Sequence, residues 1–235
     1  MSKIGSSLAL MTLFGLTSCT LVEDYQARQA ARAEQLRMDA LHEQTVIAHQ
    51  EFRAQDGWKK KVYRNETALA ELTEENTGMQ ISLKDQRAML MAGDLIAIEF
   101  PIASGKRSHP TPTGSYTVLD KKRTYRSNLY GKIYDAEGAV TVSDADSRSN
   151  AVPEGGRFVG ASMPYWMRLT NTGIGLHVGY VPGGRPASHG CVRMPRKVAP
   201  EIFKSVKLGA PVVIATEAPV SWQSVENHDE PAPGA

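Results

Sequence analysis

The sequence predicts a mainly β domain, at about residues 80–216, preceded by a long α-helical stalk. Residues 22–52 are rich in Ala, Glu, Gln, Arg and Leu and contain no Pro or Gly, a composition that favours helix. From about Gln80 onward, short apolar segments alternate with turn residues such as Gly, Pro and Asp, which is typical of strands joined by tight turns. One short segment of this region, 196–209, has the composition of a helix.

The first nineteen residues have the layout of an export signal. Lys3 supplies a positive charge, and the apolar run at 4–16 is too short to span a bilayer. The run ends in Leu-Thr-Ser before Cys19, which resembles the lipobox of a bacterial lipoprotein signal peptide, here residues 1–18. The resemblance implies a lipid anchor on Cys19, and an ordinary secretory signal is the alternative. Thr20 stands where an inner-membrane retention signal has Asp, so the resemblance favours a periplasmic protein on the outer membrane.

Cys191 is the second of the chain's two cysteines. Two cysteines in an exported protein invite a disulfide, but lipidation of Cys19 leaves Cys191 without a partner. A lone thiol kept in an exported protein calls for an explanation, and chemistry is the leading one.

Residues 19–79 are predicted to be the lipidated N-terminus and a largely solvated helical spacer. Their apolar positions form no sustained heptad, although a coiled-coil partner helix remains an alternative. The formal net charge of +2 and the lack of a base-stacking motif predict no nucleic-acid partner.

Short apolar segments give the predicted strands of the domain. They lie at 80–86, 88–92, 95–100, 115–119, 173–178 and 211–216. Gly93-Asp94 is predicted to turn a hairpin between the second and third of them. Pro112 and Gly114 occupy the second and fourth positions of Thr-Pro-Thr-Gly, where a tight turn favours them.

Three further segments carry other predictions. Residues 121–160 are polar and hold few apolar pairs, so a long surface excursion that serves as a lid or binding loop is expected. The helix at 196–209 is expected to have Pro200 in its first turn and to end at Gly209. The Pro-rich polar tail at 217–235 is predicted to be disordered.

Ser188-His189-Gly190-Cys191 combines the residue types that attack of a thiolate on a carbonyl needs. A base must deprotonate the thiol, and the oxygen that gains charge needs preorganised donors. His177, at the end of an apolar segment, is the candidate base. Gly190 allows close approach of the backbone to a substrate, and its N–H can point into the site together with those of His189 and Cys191.

A metal site is the functional alternative for the same residues. His177, His189 and Cys191 are possible ligands of zinc, with water in the fourth position. The His-x-Cys spacing is not a common structural zinc pattern, however, and no fourth ligand lies nearby in the sequence. Neither a metal nor a cofactor is therefore predicted.

The stretch HVGYVPGGRPASHGCVRMP, residues 177–195, resembles the signature of L,D-transpeptidases of the YkuD type. That signature is an upstream His, then Ser/Thr-His-Gly-Cys, a hydrophobic residue and Asn or Arg. Residues 81–118 are similar to the family's opening strands with their Ser-Gly-Lys and Thr-Pro-Thr-Gly steps, and MPYWMRLTNTGIGLH resembles the stretch before the histidine. The resemblance covers about 80–216.

The resemblance implies a β-sandwich-like or barrel-like domain that acts on peptidoglycan stem peptides. It implies that Cys191 is the nucleophile and that His177 is the general base, oriented by a backbone carbonyl near Val178. The implied oxyanion donors and the residue that supports the loop are His189, Gly190, Cys191 and, as the support, Ser188.

Three more residues each have two possible roles, and a fourth residue has a structural role only. Arg193, at the Asn/Arg position, suits a substrate carboxylate, or it ties the loop to a backbone carbonyl. Tyr165 and Trp166 either line the pocket or belong to the core. His109 is expected to be structural.

The implied reaction is two acyl transfers in peptidoglycan biosynthesis. Cys191 attacks the third residue of a tetrapeptide stem and expels the terminal D-Ala, and an amine then captures the thioester. The amine of another stem gives a 3–3 crosslink, a D-amino acid gives exchange, and a protein lysine gives protein attachment. Water as acceptor makes the protein an L,D-carboxypeptidase or wall hydrolase. A non-catalytic wall-binding lipoprotein is the remaining alternative, although such a module has no reason to keep a nucleophile and a base.

Two departures from the family pattern concern the wall of the cleft. Val178 follows the histidine where many members have Gly, and the loop at 179–187 is shorter than in many members. Neither departure removes a catalytic group, but both put the choice of acceptor in doubt.

Overall fold

The computed structural model describes residues 10–217, and for residues 10–20 it describes the backbone alone. The start of the predicted signal peptide, the side chain of Cys19 and nearly all of the predicted tail therefore lie outside the described part.

A long helix, α1, precedes the β domain and runs over Leu10–Ala54. The prediction of a mainly β domain after a long helix is confirmed. None of the described helices is long and apolar enough to cross a membrane. The chain divides into two compact units after Ile47, and the β domain belongs to the second.

The helix ends well before residue 79, where the predicted spacer ended. Gly57 takes a left-handed conformation with φ of 67°, which favours glycine and does not continue a helix. A short 3-10 helix (Trp58–Lys60) and a second α-helix, α2 (Glu66–Ala70), follow. The side chain of Asn65 caps α2 by accepting the N–H of Ala68.

The largest sheet has six strands in the order β1-β4-β3-β2-β13-β5. β2 and β13 run parallel, and the other neighbours are antiparallel. The predicted hairpin at Gly93-Asp94 is present, with Gly93 at a φ of 58°. The strands are β1 (Tyr63–Arg64), β2 (Thr77–Ser82), β3 (Arg87–Ala92), β4 (Leu95–Pro101), β5 (Gly114–Thr117) and β13 (Pro211–Ala215).

The second sheet carries the sequence motif and has the order β12-β11-β10-β6. Its strands are β6 (Asp120–Lys122), β10 (Trp166–Arg168), β11 (Gly175–Val178) and β12 (Val192–Met194). Strand pairing fixes which residues share a face. One face is fully buried in the core, and its members are Met167, Leu176, Val192 and Met194. The opposite face carries Arg168, His177 and Arg193.

Residues 121–160, predicted as an irregular surface excursion, contribute most of a third sheet. β7 (Arg126–Tyr134) pairs with β8 (Val140–Asp146) on one side and β9 (Arg157–Ser162) on the other. The prediction failed because the apolar residues of these strands are mixed with polar and charged ones. Few positions of the three strands are buried, and one wall of the sheet faces an open cavity. Backbone packing replaces apolar pairing at Gly131, where a Cβ would lie 2.3 Å from the carbonyl oxygen of Val159.

Two local predictions are also corrected. The tight turn lies at 106–109, where the N–H of His109 donates to the carbonyl of Lys106 (2.8 Å), and not at Thr-Pro-Thr-Gly. Gly114 instead begins β5 with a φ of 147°. The helix α3 (Ala199–Ser205) has Pro200 in its first turn as predicted, but it ends before Gly209 because Val206 is already extended.

A buried carboxylate joins the last two turns of α1 to the large sheet. The side chain of Glu99, in β4, is fully buried and accepts hydrogen bonds from His49 (2.6 Å), Arg53 (2.8 Å) and Arg87 (3.0 Å). Burial alone would raise the pKa of Glu99, but these partners outweigh it and lower that pKa to about 2. Arg87 also donates to the carbonyls of Lys59 (3.0 Å) and Lys61 (2.9 Å). The ionised Glu99 and its partner Arg87 therefore hold the end of α1 and the segment 59–61 against the large sheet.

Candidate active site

A cavity of about 580 Å³ lies between the second and third sheets. Its walls include the motif residues Cys191, His177, Ser188, His189 and Arg193. The third sheet supplies the facing wall through β7, β8 and β9. The region that the sequence predicted as a lid or binding loop thus forms one side of the cavity.

His177 lies in β11 with its imidazole buried. Its Nδ1 is 2.8 Å from the carbonyl oxygen of Val178, so Nδ1 carries the proton and Nε2 is left with a free lone pair. Burial lowers the pKa of His177 to about 4, the hydrogen bond to Val178 opposes this shift, and the charge of Arg193 adds to it. The imidazole is therefore neutral at neutral pH and able to accept a proton.

Cys191 immediately precedes β12 and is half-buried. Its Sγ lies 3.5 Å from the carbonyl oxygen of Gly173, to which the thiol donates. Burial raises the pKa of the Cys191 thiol, against the opposing effects of the Gly175 N–H and the charge of Arg193. The resting pair is therefore a neutral thiol and a neutral imidazole on the wall of one cavity.

Two hydroxyl groups hold the loop between His189 and Cys191. Ser188 Oγ donates to the Cys191 carbonyl and accepts the N–H of Gly190 (3.1 Å). Thr111 Oγ1 donates to the Gly190 carbonyl (2.7 Å) and accepts the N–H of Gly105 (2.8 Å). Ser188 is thus placed as the predicted loop support. Sequence reasoning missed Thr111, because its partner in the nucleophile loop, Gly190, is distant along the chain.

Gly190 has a positive φ and a closely packed Cα, and a residue with a side chain would fit neither. Its φ is 108°, and a Cβ at this position would lie 2.7 Å from Cδ1 of Ile174. The sequence predicted its N–H as an oxyanion donor, but the structure contradicts this, because that N–H is bound to Ser188 Oγ. Among residues 10–217, the backbone N–H groups of His189 and Cys191 donate no hydrogen bond. These two groups remain as the candidate donors for a developing negative charge.

The His189 side chain lies in a polar cluster from three parts of the chain. Its Nε2 is 3.0 Å from Nζ of Lys106 and 3.3 Å from Oδ2 of Asp144. Its ring stacks on Tyr130 (centroids 4.5 Å apart) and lies 4.7 Å from the ring of His109. Burial lowers the pKa of His189, and Asp144 opposes the shift. No spacing in the sequence indicated Lys106, Asp144 or Tyr130, because β7 and β8 bring two of them to the site.

Arg193 pairs with His177 across β11 and β12 and faces the cavity. Its aliphatic stem crosses Gly179, where a Cβ would lie 2.7 Å from Cδ of Arg193. The alternative that Arg193 ties the loop to a backbone carbonyl is not seen, since its guanidinium has no hydrogen-bond acceptor within the described part of the chain. The guanidinium is available to a ligand.

Of the two readings for Tyr165 and Trp166, the substrate-binding one is wrong, because neither residue lines the cavity. Trp166 is 1% exposed because the ring of Tyr125 stacks on it at 4.1 Å and the guanidinium of Arg168 covers it at 5.0 Å. Tyr165 packs against Phe203 of α3, with ring centroids 5.5 Å apart. Trp166 forms part of the core beneath the cavity, and Tyr165 supports α3.

The described residues contain no group of three or more His, Cys, Asp or Glu side chains arranged to hold a metal ion. The arrangement that the cavity does present is a thiol, a neutral imidazole and unpaired backbone N–H groups. Together they suit acyl transfer through a cysteine.

Comparison with known proteins gives one family. Residues 76–214 match the model of the L,D-transpeptidase catalytic domain, YkuD. A curated relative from Mycobacterium tuberculosis, named "Probable L,D-transpeptidase 3", is 32% identical over 121 residues. The match covers 48% of this chain and 37% of that protein, so the chain spans well under half of the relative's length.

Solved structures of similar proteins include several from mycobacteria. An L,D-transpeptidase from Mycobacterium smegmatis is 20% identical with a TM-score of 0.44, and 60% of this chain and 58% of that one are covered. L,D-transpeptidase 3 from Mycobacterium tuberculosis is 22% identical with a TM-score of 0.43, over 60% of this chain and 61% of that one.

Proposed function

The chain belongs to the family of L,D-transpeptidase catalytic domains, which are cysteine-dependent enzymes of the cell wall, and we propose that it is itself an L,D-transpeptidase acting on peptidoglycan stem peptides. The observation that carries the proposal is the placement of Cys191 and a neutral His177 on the wall of one cavity. The substrate is a tetrapeptide stem, and the acceptor is an amine.

In the first half-reaction, Cys191 Sγ attacks the carbonyl carbon of the third stem residue. Its proton passes to Nε2 of His177, and the N–H groups of His189 and Cys191 stabilise the oxyanion. The bond to the terminal D-Ala then breaks. The proton on His177 moves to the leaving amine, and the acyl group remains on Sγ as a thioester.

In the second half-reaction, the acceptor amine attacks the thioester and loses a proton to His177. The carbon–sulfur bond breaks, and the proton returns to Sγ. The Val178 carbonyl keeps Nδ1 protonated throughout, so that Nε2 does the proton transfer. The product depends on the acceptor: a stem amine gives a 3–3 crosslink, a D-amino acid gives exchange, and a protein lysine gives protein attachment. With water as the acceptor, the enzyme acts as a carboxypeptidase.

The test of this reaction uses the full chain, a disaccharide-tetrapeptide and an isotopically labelled D-amino acid, followed by mass spectrometry. We expect label at position four of the stem, or dimers joined through third residues, and neither product with Cys191→Ala. Tripeptide without label would identify water as the acceptor. Equal product from Cys191→Ala would refute the proposal.

We also propose that Cys19 carries a lipid and that the protein is anchored to the outer membrane in the cell envelope. The order of charge, apolar run and small residues before Cys19 supports this proposal. Cys19→Ala should move the protein from the membrane to the soluble fraction. Cys191→Ala is the matched control, because it removes the other cysteine and should leave the protein in the outer-membrane fraction. Retention of Cys19→Ala in the membrane would refute lipid anchoring.

A further inference from the structure

The cavity wall is strongly cationic. Five of its residues carry a positive charge, and Asp144 is the one lining carboxylate among the described residues. The five are Arg126, Lys132, Arg148, Arg168 and Arg193. A cavity with this balance favours an anionic ligand.

Two of the five cations are already occupied by protein groups. Arg148 forms an ion pair with Asp146 (2.6 Å), and Arg126 donates to the Gly160 carbonyl (2.9 Å). Within residues 10–217, no carboxylate lies within ion-pair distance of Lys132, Arg168 or Arg193. Asp144 does not neutralise these three, because its partners are Lys106 (3.5 Å) and His189 (3.3 Å).

Arg168 and Arg193 lie on either side of the reacting strand. Arg168 of β10 pairs with Gly175 of β11, and Arg193 of β12 pairs with His177 of the same strand. All four residues share the cavity face. The two arginines are two strands apart and offset by two residues, so their Cα atoms are about 12 Å apart. The strand that carries His177 therefore runs between the two arginines, whose Cα separation suits several residues of an extended peptide.

Arg168 is held in place before any ligand arrives. Its guanidinium lies over the ring of Trp166 at 5.0 Å, and Tyr125 stacks on that ring. Its Nε is buried and, among the described residues, has no hydrogen-bond partner. Because buried donors in native proteins are nearly always paired, this arrangement indicates an acceptor that arrives with the ligand.

We propose that Arg168 determines specificity by binding a carboxylate of the donor stem, so that the enzyme prefers stems with free carboxylates to amidated ones. The inference rests on the proposed function for the identity of the donor. Arg193, next to Cys191, takes one carboxylate near the scissile bond, and Arg168 takes a second one on the far side of β11. A primary amide has no negative charge and loses the charge-assisted bonds to the guanidinium.

The test compares two tetrapeptide donors with the full chain. One donor has all its carboxyl groups free, and the other has its side carboxyl groups converted to primary amides. Release of the terminal residue gives kcat and KM for the wild type, Arg168→Gln, Arg168→Lys and Arg196→Gln. Arg196 is an exposed arginine that does not line the cavity, so its variant is the matched control.

We expect the wild type to prefer the free-acid donor by about tenfold or more in kcat/KM. Arg168→Gln should lose that preference, mainly through KM for the free-acid donor, with the amidated donor changed by less than about twofold. Arg168→Lys should keep part of the preference, and Arg196→Gln should keep all of it. An equal loss on both donors, or no preference in the wild type, would overturn the inference.

A binding measurement separates this inference from the proposed reaction. Calorimetric titration of each tetrapeptide into Cys191→Ala, with and without Arg168→Gln, needs no turnover. Tighter binding of the free acid that depends on Arg168 supports the inference even where the wild type shows no transfer. Equal affinities for the two peptides would overturn it even where transfer is established.

Discussion

The carbonyl oxygen of Val178 lies 2.8 Å from Nδ1 of the neighbouring His177. A neutral backbone acceptor fixes the tautomer of the imidazole without adding a negative charge beside it. A carboxylate in that place would favour the imidazolium. The Val178 carbonyl therefore leaves burial as the main influence on His177, and burial lowers the pKa of His177 to about 4. The cavity wall therefore carries a neutral imidazole and a protonated thiol.

Alkylation of Cys191 should report this neutral pair. In a Cys19→Ala background, Cys191 is the single thiol of the chain. Because burial raises the pKa of Cys191, the iodoacetamide rate should be low at pH 7 and should still rise above pH 9. A rate that reaches its plateau below pH 7 would instead indicate a preformed thiolate–imidazolium pair.

The lowered pKa of His177 predicts where activity is lost in acid. Protonation of Nε2 removes the base, and a pKa of about 4 moves this loss below the usual range near 6.5. We expect the acid limb of kcat/KM to lie near pH 4. The profile is measured with a tetrapeptide donor in buffers of constant ionic strength. An acid limb near pH 6.5 would contradict a buried neutral imidazole.

Thr111→Val tests whether the hydroxyl of Thr111 positions the nucleophile loop. The change leaves the Gly190 carbonyl and the Gly105 N–H without their partner. We expect kcat to fall about tenfold, consistent with a loss of roughly 1–3 kcal/mol of positioning and hydrogen-bond energy. Thr111→Ser keeps the hydroxyl and should recover most of the rate. Thr113→Val, an exposed neighbour with the same change in shape, should behave as the wild type, and a tenfold loss there would undermine the assignment.

Gly190→Ala tests the close packing of the loop. The new Cβ would lie 2.7 Å from Cδ1 of Ile174 at a backbone φ of 108°, so the loop must shift and activity should fall by about a hundredfold or more. Gly209→Ala is the matched control, since Gly209 also has a positive φ of 81° but has open space where the Cβ would lie. That variant should lose about 1 kcal/mol of stability and no activity. Full activity of Gly190→Ala would show that the loop tolerates the side chain.

Glu99→Gln should destabilise the domain without touching the cavity. It removes the charge that pairs with Arg87, Arg53 and His49, and the free energy of unfolding should fall by about 3 kcal/mol at pH 7. The folded pKa of Glu99 is about 2, below its usual 4.5. Its stabilisation is therefore present above pH 4.5 and is lost as the pH falls toward 2.

Denaturant unfolding between pH 2 and pH 7 measures both effects of Glu99. The variant should show a smaller loss of stability in acid than the wild type. Glu137→Gln, at an exposed position in the β7–β8 connection, should change the free energy of unfolding by less than about 0.5 kcal/mol. An acid dependence that is the same in Glu99→Gln and the wild type would assign the acid sensitivity to other groups.

The sequence predicted those parts of the fold that depend on residues close together in the chain. The Ala- and Glu-rich stretch predicted the long helix, and Gly93-Asp94 predicted the hairpin of β3 and β4. The sequence motif also indicated His177 and Cys191, which the register of β11 and β12 brings to the same cavity. Local propensity and motif spacing were enough for these features.

The facing wall of the cavity was not predictable in the same way. β7 and β8 have few buried positions, because one wall of their sheet faces an open cavity. Their apolar residues are therefore mixed with polar and charged ones and give only a weak strand pattern. Thr111, Asp144 and Arg168 gain their places through pairings between distant parts of the chain. The sequence could not decide between pocket and core for Trp166, because Tyr125, which covers the indole, lies in another strand connection.

Mass analysis of the chain after brief incubation with a tetrapeptide donor tests the central claim most directly. The account predicts that the mass rises by one tripeptide acyl group, that the added mass maps to the peptide containing Cys191, and that one equivalent of D-Ala appears. His177→Ala should form this adduct far more slowly, and Cys191→Ala should not form it. Release of D-Ala at the wild-type rate by Cys191→Ala, or an adduct on another residue, would contradict the account.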